Sequence, residues 1–211
     1  MKSNEAELIV EHALQNESNL VLAVKISEAY PRLREEVIRR FLGRLRVEMR
    51  TTLGTSWVVE IEENEGSSPY LYIKGQTWPA DVMIGIGSDN GCRTWVYVWV
   101  MKCSATLANA LLDDELKGVL EKFLNKPWKS SPSSLWHVLD KYRDWGVGDT
   151  LVEIYRASDA MDYVRALLLE IHGIVAPIID RALFERQPGS NSFHTEATEL
   201  FSEVSPESRN S

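Results

Sequence analysis

Val82-Met83-Ile84-Gly85-Ile86, then Ser88-Asp89-Asn90-Gly91, then Thr94-Trp95-Val96-Tyr97-Val98-Trp99-Val100-Met101 is the stretch that decides the fold. Asn90-Gly91 supplies the positive φ values of a tight turn, and β-branched and aromatic residues flank it on both sides, so Val82 to Lys102 is predicted to be a β-hairpin. A two-residue turn at Asn90-Gly91 sets Trp95 opposite Ile86, whereas a loop one residue longer sets it over Gly85. In the second strand Trp95, Tyr97, Trp99 and Met101 alternate with Val96, Val98 and Val100. No charge interrupts either row, which predicts a central strand covered on both faces. An open aromatic face could stack bases, but core packing is the preferred reading of these rings. Gly85-Ile86-Gly87 is read as a close strand contact or a bulge.

Upstream, the period is also two. Trp57, Val59 and Ile61 oppose Val58, Glu60 and Glu62, and Leu71 and Ile73 oppose Tyr70, Tyr72 and Lys74. Turns at residues 64–69 and 75–79 join these strands to the hairpin. The expected fold is therefore α+β, with a four-stranded antiparallel meander covered by N-terminal and C-terminal helices.

Further out, the period lengthens. A short helix is expected over residues 5–15 and a second over 20–29, capped by Ser18 or Asn19 and broken at Tyr30-Pro31. A third, from Pro31 to Leu53, carries Leu33, Val37, Phe41 and Leu45 at four-residue spacing, with Ile38, Leu42 and Met49 widening the stripe. Gly54 supplies its stop. Beyond the hairpin, Leu107 to Leu124 reads as helical, and residues 125–134 as a loop. A last helix starts near Ser158-Asp159 and runs through Gly173 and Pro177 to Leu183, kinked at the proline. Residues 1–184 thus form one domain, and 185–211, rich in Ser, Glu and Pro, a disordered tail.

Composition narrows the functional classes. With 211 residues, 44% of them hydrophobic, and seven tryptophans, the chain can bury a substantial core. Neither a membrane-spanning run nor the apolar region of a signal peptide occurs, so a cytoplasmic protein away from membranes is expected. Cys92 and Cys103 end one predicted strand about 35 Å apart, too far to pair. The net charge of −8 argues against general polyanion binding. It is unevenly spread: residues 32–50 hold seven arginines and three glutamates, a local +4, leaving −12 elsewhere. Arg32, Arg39 and Arg46 recur every seven residues with Arg50 beside them. That row suits phosphate contacts, but a solvated face laced by i,i+4 ion pairs is the preferred reading.

No P-loop, GxSxG, HExxH or dinucleotide fingerprint occurs. His12, His137, His172 and His194 have no partners at catalytic spacing; His137 with Asp140 is the nearest approach to one. Glu60, Glu62, Glu63 and Glu65 cluster on a strand and its turn, where an exposed edge available to a partner fits better than a metal site. No catalytic residue, metal or cofactor is assigned.

Leu53-Gly54-Thr55-Ser56-Trp57, Pro127-Trp128, Trp136, Tyr142-Arg143-Asp144-Trp145-Gly146 and Ile178-Ile179-Asp180-Arg181-Ala182-Leu183 occur in that order. Over residues 31–183 this resembles the C-terminal part of bacterial and phage proteins of the PD-(D/E)XK nuclease superfamily. Their nuclease core needs an acidic residue and then Glu-x-Lys on a neighbouring strand. Here Tyr72-Ile73-Lys74 has tyrosine in place of glutamate, and the N-terminal thirty residues cannot house such a core. The resemblance implies a fold and a bacterial or phage setting without nuclease activity. The leading expectation is a non-enzymatic accessory, immunity or counter-defence factor that binds a protein, such as a basic nucleic-acid-binding one. Two alternatives stand behind it: nucleic-acid binding through Arg32, Arg39, Arg46 and Arg50, and a divergent hydrolase using Glu60 or Glu62 with a metal.

Overall fold

A computed structural model describes residues 2–63, 68–88, 93–100 and 114–184. The chain runs α1 (Lys2–Ala13), α2 (Glu17–Leu53), β1 (Trp57–Glu62), β2 (Tyr70–Gly75), β3 (Val82–Ser88), β4 (Thr94–Val100), α3 (Asp114–Leu124), β5 (Lys129–Ser131), β6 (Ser134–Val138), α4 (Gly148–Arg156) and α5 (Ser158–Phe184). The class is α+β with an antiparallel sheet, as the alternation predicts.

The sheet has six strands rather than four, in the order β1-β2-β3-β4-β6-β5. The two additional strands lie at 129–131, inside the expected loop 125–134, and at 134–138, which begins at its last residue: β5 pairs with β6, and β6 pairs with β4 from Trp95↔Val138 to Trp99↔Ser134. Lys129-Ser130-Ser131 has little strand propensity of its own; its extended form comes from the ladder offered by β6.

The β3–β4 register also differs from both expectations, since Gly87 lies opposite Trp95 and Gly85 opposite Tyr97. Directly opposed residues share a face, so pairing Trp95 with Ile86 would have mixed rings with aliphatic side chains. The observed register keeps Ile84 and Ile86 beside Val98 and Val96. The start of β4 is also pinned from outside the hairpin: Thr94 N–H donates to Arg143 O at 2.7 Å, and Leu139 N–H donates to Thr94 O at 2.9 Å. Asn90-Gly91, Cys92 and Cys103, Leu107 to Leu112, Glu65, and the expected tail with His194 lie outside the described residues.

One sheet face carries Val59, Leu71, Ile73, Val82, Ile84, Ile86, Val96, Val98 and Leu135, all fully buried. Helices α2 and α5 pack on it, joining one hydrophobic core. Phe41 meets the buried Trp145 edge-on, ring centroids 5.6 Å apart. Trp78 Nε1–H donates to Asp180 Oδ1 at 2.7 Å, tying the β2–β3 turn to the last helix.

Residues 17–53 form one helix and not two, with Pro31 inside it. Its start is capped by Asn16, whose side chain accepts from Asn19 N–H, so the cap precedes the predicted Ser18 or Asn19. Pro31 is exposed, and the Ser27 carbonyl that loses its helical donor can be satisfied by water. Tyr30 Oη–H donates to Gly146 O at 2.9 Å and holds the helix against the body where a break was expected. Gly54 ends it at φ 76°, its N–H returning to Arg50 O. Helix α5 likewise runs unbroken through Pro177. Ala157, at φ 67°, turns α4 into α5, so Ser158 is already helical.

Candidate interaction surfaces

The two charged clusters singled out in the sequence meet each other. Strand β1 is a sheet edge, and α2 runs beside it. Arg39 Nε–H donates to Glu63 Oε1 at 2.8 Å and Arg39 Nη1–H to Glu36 Oε2 at 3.0 Å. Arg46 Nη1 lies 3.5 Å from Glu60 Oε2. Arg50 pairs with Glu60 through Nη2, while its Nε–H donates to Val59 O at 3.0 Å. The row therefore clamps the outward edge of β1, occupying a carbonyl that would otherwise invite another strand. Hydrogen bonds from Arg40 and then Arg39 hold the Glu36 carboxyl below its ordinary pKa. These pairs are largely solvated, so each contributes little to stability. Arg32 is exposed at the far end of the row, and Glu62 lies on β1 opposite Tyr70.

The sheet face away from α2 and α5 is aromatic. Because Met83, Gly85 and Gly87 pair with Trp99, Tyr97 and Trp95, and Tyr97 pairs with Trp136, the rings of Tyr70, Trp95, Tyr97, Trp99 and Trp136 share one side. All five are half-buried, where covering on both faces was expected of β4. Together with Ser68, Ser88, Ser131 and Ser134 they line a cavity of about 500 Å³ among the described residues. The glycines are needed for close approach: a Cβ on Gly85 would fall 2.5 Å from Tyr97 Cζ and 2.6 Å from Leu71 O, and one on Gly87 would fall 2.7 Å from Tyr70 Cβ. Tyr97 Oη is buried without a hydrogen-bond partner. Burial pushes its phenol pKa well up, so it remains a neutral hydroxyl. Period-two alternation in Ser134-Leu135-Trp136-His137-Val138 was the signal that could have placed Trp136 here.

A third surface lies at the N-terminus. Helix α1, the turn after it and the first half of α2 expose Leu8, Ile9, Val10, Leu14, Leu20, Val21, Leu22, Val24 and Ile26, each 44% to 69% accessible. Between the two helices, Ile9, Leu22, Ile26 and Tyr30 line a groove of about 460 Å³. Asn19 Nδ2 donates to His12 O at 3.0 Å and sets the bend that joins the helices.

The histidines remain apart. His12 is exposed on α1. His172 packs edge-on against Trp57 at 4.1 Å, and burial lowers its pKa. His137 donates through Nδ1–H to Pro127 O at 3.0 Å; burial lowers its pKa, and the Pro127 bond opposes that shift in part. It lines a cleft of about 300 Å³ with Lys126 and Glu170. Asp140, its suspected partner, pairs with Lys126 instead. Among the described residues, no three His, Cys, Asp or Glu side chains are grouped to hold a metal. No helix there is long and apolar enough to cross a membrane. Comparison with family models, curated proteins and solved structures finds no match.

Proposed function

We propose that this chain is a non-enzymatic protein-binding factor, an accessory, immunity or counter-defence protein of a bacterium or phage, and that its N-terminal helical arm is the docking element. The observation that carries this reading is the arm's exposed apolar surface. Nine of its apolar residues are each 44% to 69% accessible to solvent. Ile9, Leu22 and Ile26 line one groove between the two helices, and exposed apolar surface of this kind marks an interaction site.

Residues 2–30 also hold five glutamates and two lysines. An apolar groove with a basic rim therefore suits the arm best, and the charges would accelerate association more than tighten it. The same chemistry is compatible with a partner that itself binds nucleic acid. Binding of nucleic acid through Arg32, Arg39, Arg46 and Arg50 is less favoured, because three of those four guanidinium groups already face carboxylates of β1 and its flank.

The test is capture from a bacterial lysate by the full chain and by Leu22→Glu/Ile26→Glu, with and without nuclease. A stoichiometric protein partner that survives nuclease, weakens with rising salt, and is lost with the double variant is the expected result. Recovery that vanishes with nuclease, or that the double variant leaves unchanged, would overturn the reading.

A further inference from the structure

An apolar groove with a basic rim, the surface that suits the arm, is present on this chain itself. It lies between α2 and α4, has a volume of about 820 Å³, and is lined by Arg40, Gly43, Arg44, Val47, Tyr155 and Arg156. We infer that this groove receives the N-terminal arm of a second copy, and that two copies exchange arms in a two-fold dimer. The inference rests on the reading of the arm as a docking element, and it names what shelters the arm when no other partner is bound.

Charge selects the occupant. Within the groove, Arg40 is paired with Glu36 at 2.7 Å, and Glu48 with Arg165 at 3.5 Å. Arg44 and Arg156 pair with no carboxylate among the described residues, so the rim stays positive. The arm, with five glutamates against two lysines, carries the opposite sign. Arg44 Nη2–H donates to Tyr155 O at 3.0 Å, which holds this guanidinium on the rim between the two helices. Below the rim, Val47 and Tyr155 are exposed. A Cβ added at Gly43 would meet nothing within 4 Å, so the floor is open down to the helix backbone.

The chain's own arm cannot occupy this groove. Helix α2 is continuous from Glu17 to Leu53, and at 1.5 Å per residue the stretch from Ile26 to Gly43 spans about 26 Å. A second copy is under no such restraint. Leu22, Ile26, Leu33, Arg40 and Arg44 follow one another at intervals of four, seven, seven and four, so they share one stripe of α2. The intervals read the same in both directions. Two α2 helices set antiparallel about a two-fold axis at the exposed Leu33 therefore place Leu22 and Ile26 of each copy over Arg44 and Arg40 of the other. There the arginine stems cover apolar side chains while their heads meet the acidic arm. The exchange uses both arms and both grooves and so closes as a dimer, whereas a single head-to-tail contact would grow open chains. The groove is short, so micromolar or weaker affinity is expected.

The experiment is sedimentation equilibrium of the full chain over a range of concentrations, at about 0.1 M and about 1 M salt, between which the screening length falls from about 10 Å to about 3 Å. The variants are Arg44→Glu/Arg156→Glu on the rim, Gly43→Leu on the floor and Leu22→Glu/Ile26→Glu on the arm, each checked for a thermal midpoint no lower than that of the parent. A reversible dimer that weakens with salt, and at least tenfold in every variant that keeps its fold, is expected. A monomer at all concentrations, larger open assemblies, or a dimer that the folded groove variants leave unchanged would overturn the inference. Lysate capture separates it from the proposed function, because the groove variants keep an intact arm. A monomer that still captures a partner overturns the dimer alone, and a dimer that captures nothing overturns only the proposed function.

Discussion

One helix, α2, has two halves that are both rich in apolar residues and have opposite fates. From Val37 to Met49, Val37, Ile38, Phe41, Leu42, Leu45 and Met49 are buried beneath the sheet and α5. From Leu20 to Ile26, side chains of the same chemistry stand in solvent. Apolar content does not separate the halves, although only the second carries a regular i, i+4 stripe. What separates them is the extent of the body: the sheet and its C-terminal helices underlie only the second half, and Tyr30, bonded to Gly146 O, marks where the body begins. Hydrophobic patterning says that a face wants covering; it does not say that the same chain will cover it.

The contrast can be broken most severely in the buried half. Phe41→Ala removes a ring with no exposure that packs against Trp145. The loss should be about 3–5 kcal/mol, read from urea unfolding. A loss below about 1 kcal/mol would mean that the second half of α2 is not integral to the core.

At the junction, Pro31→Ala restores a helical N–H. Proline costs about 3 kcal/mol relative to alanine inside a helix, so amide exchange over residues 17–29 should slow. The midpoint of core unfolding should rise little, since the arm contributes few contacts to the core. If exchange over 17–29 does not change, the helix is not continuous through Pro31.

Smallest of all should be the stability effect of Leu22→Glu/Ile26→Glu, within about 0.5 kcal/mol, as for exposed substitutions generally, even as partner capture disappears. A loss of several kcal/mol would place these side chains in a packed interior and remove the distinction between the halves.

The two faces of the sheet repeat the lesson. The row Val96/Val98 was legible as a core face, and the row Trp95/Tyr97/Trp99 was equally legible as a row. Whether it is covered depended on which elements cross it, and α2 and α5 both lie on the aliphatic side. The arginine row was likewise visible at seven-residue spacing. That it faces Glu60 and Glu63 follows from α2 lying along the edge of β1, a placement no local pattern contains.

By itself, the sequence determined the parts governed by short-range physics. The period-two segments became β1 to β4, the period near 3.6 became α2 and α5, and Gly54 stopped α2, because backbone sterics and side-chain periodicity act within a few residues. Only the tertiary structure decided the rest. It recruited Lys129–Ser131 and Ser134–Val138 as strands, set Gly87 opposite Trp95, and kept α2 running through Pro31. Among the described residues, it also left the aromatic face half-buried and the apolar side chains of the arm exposed. Each of these follows from contacts between segments far apart in the chain, whose free energy exceeds the small local preferences that a reading of the sequence can weigh.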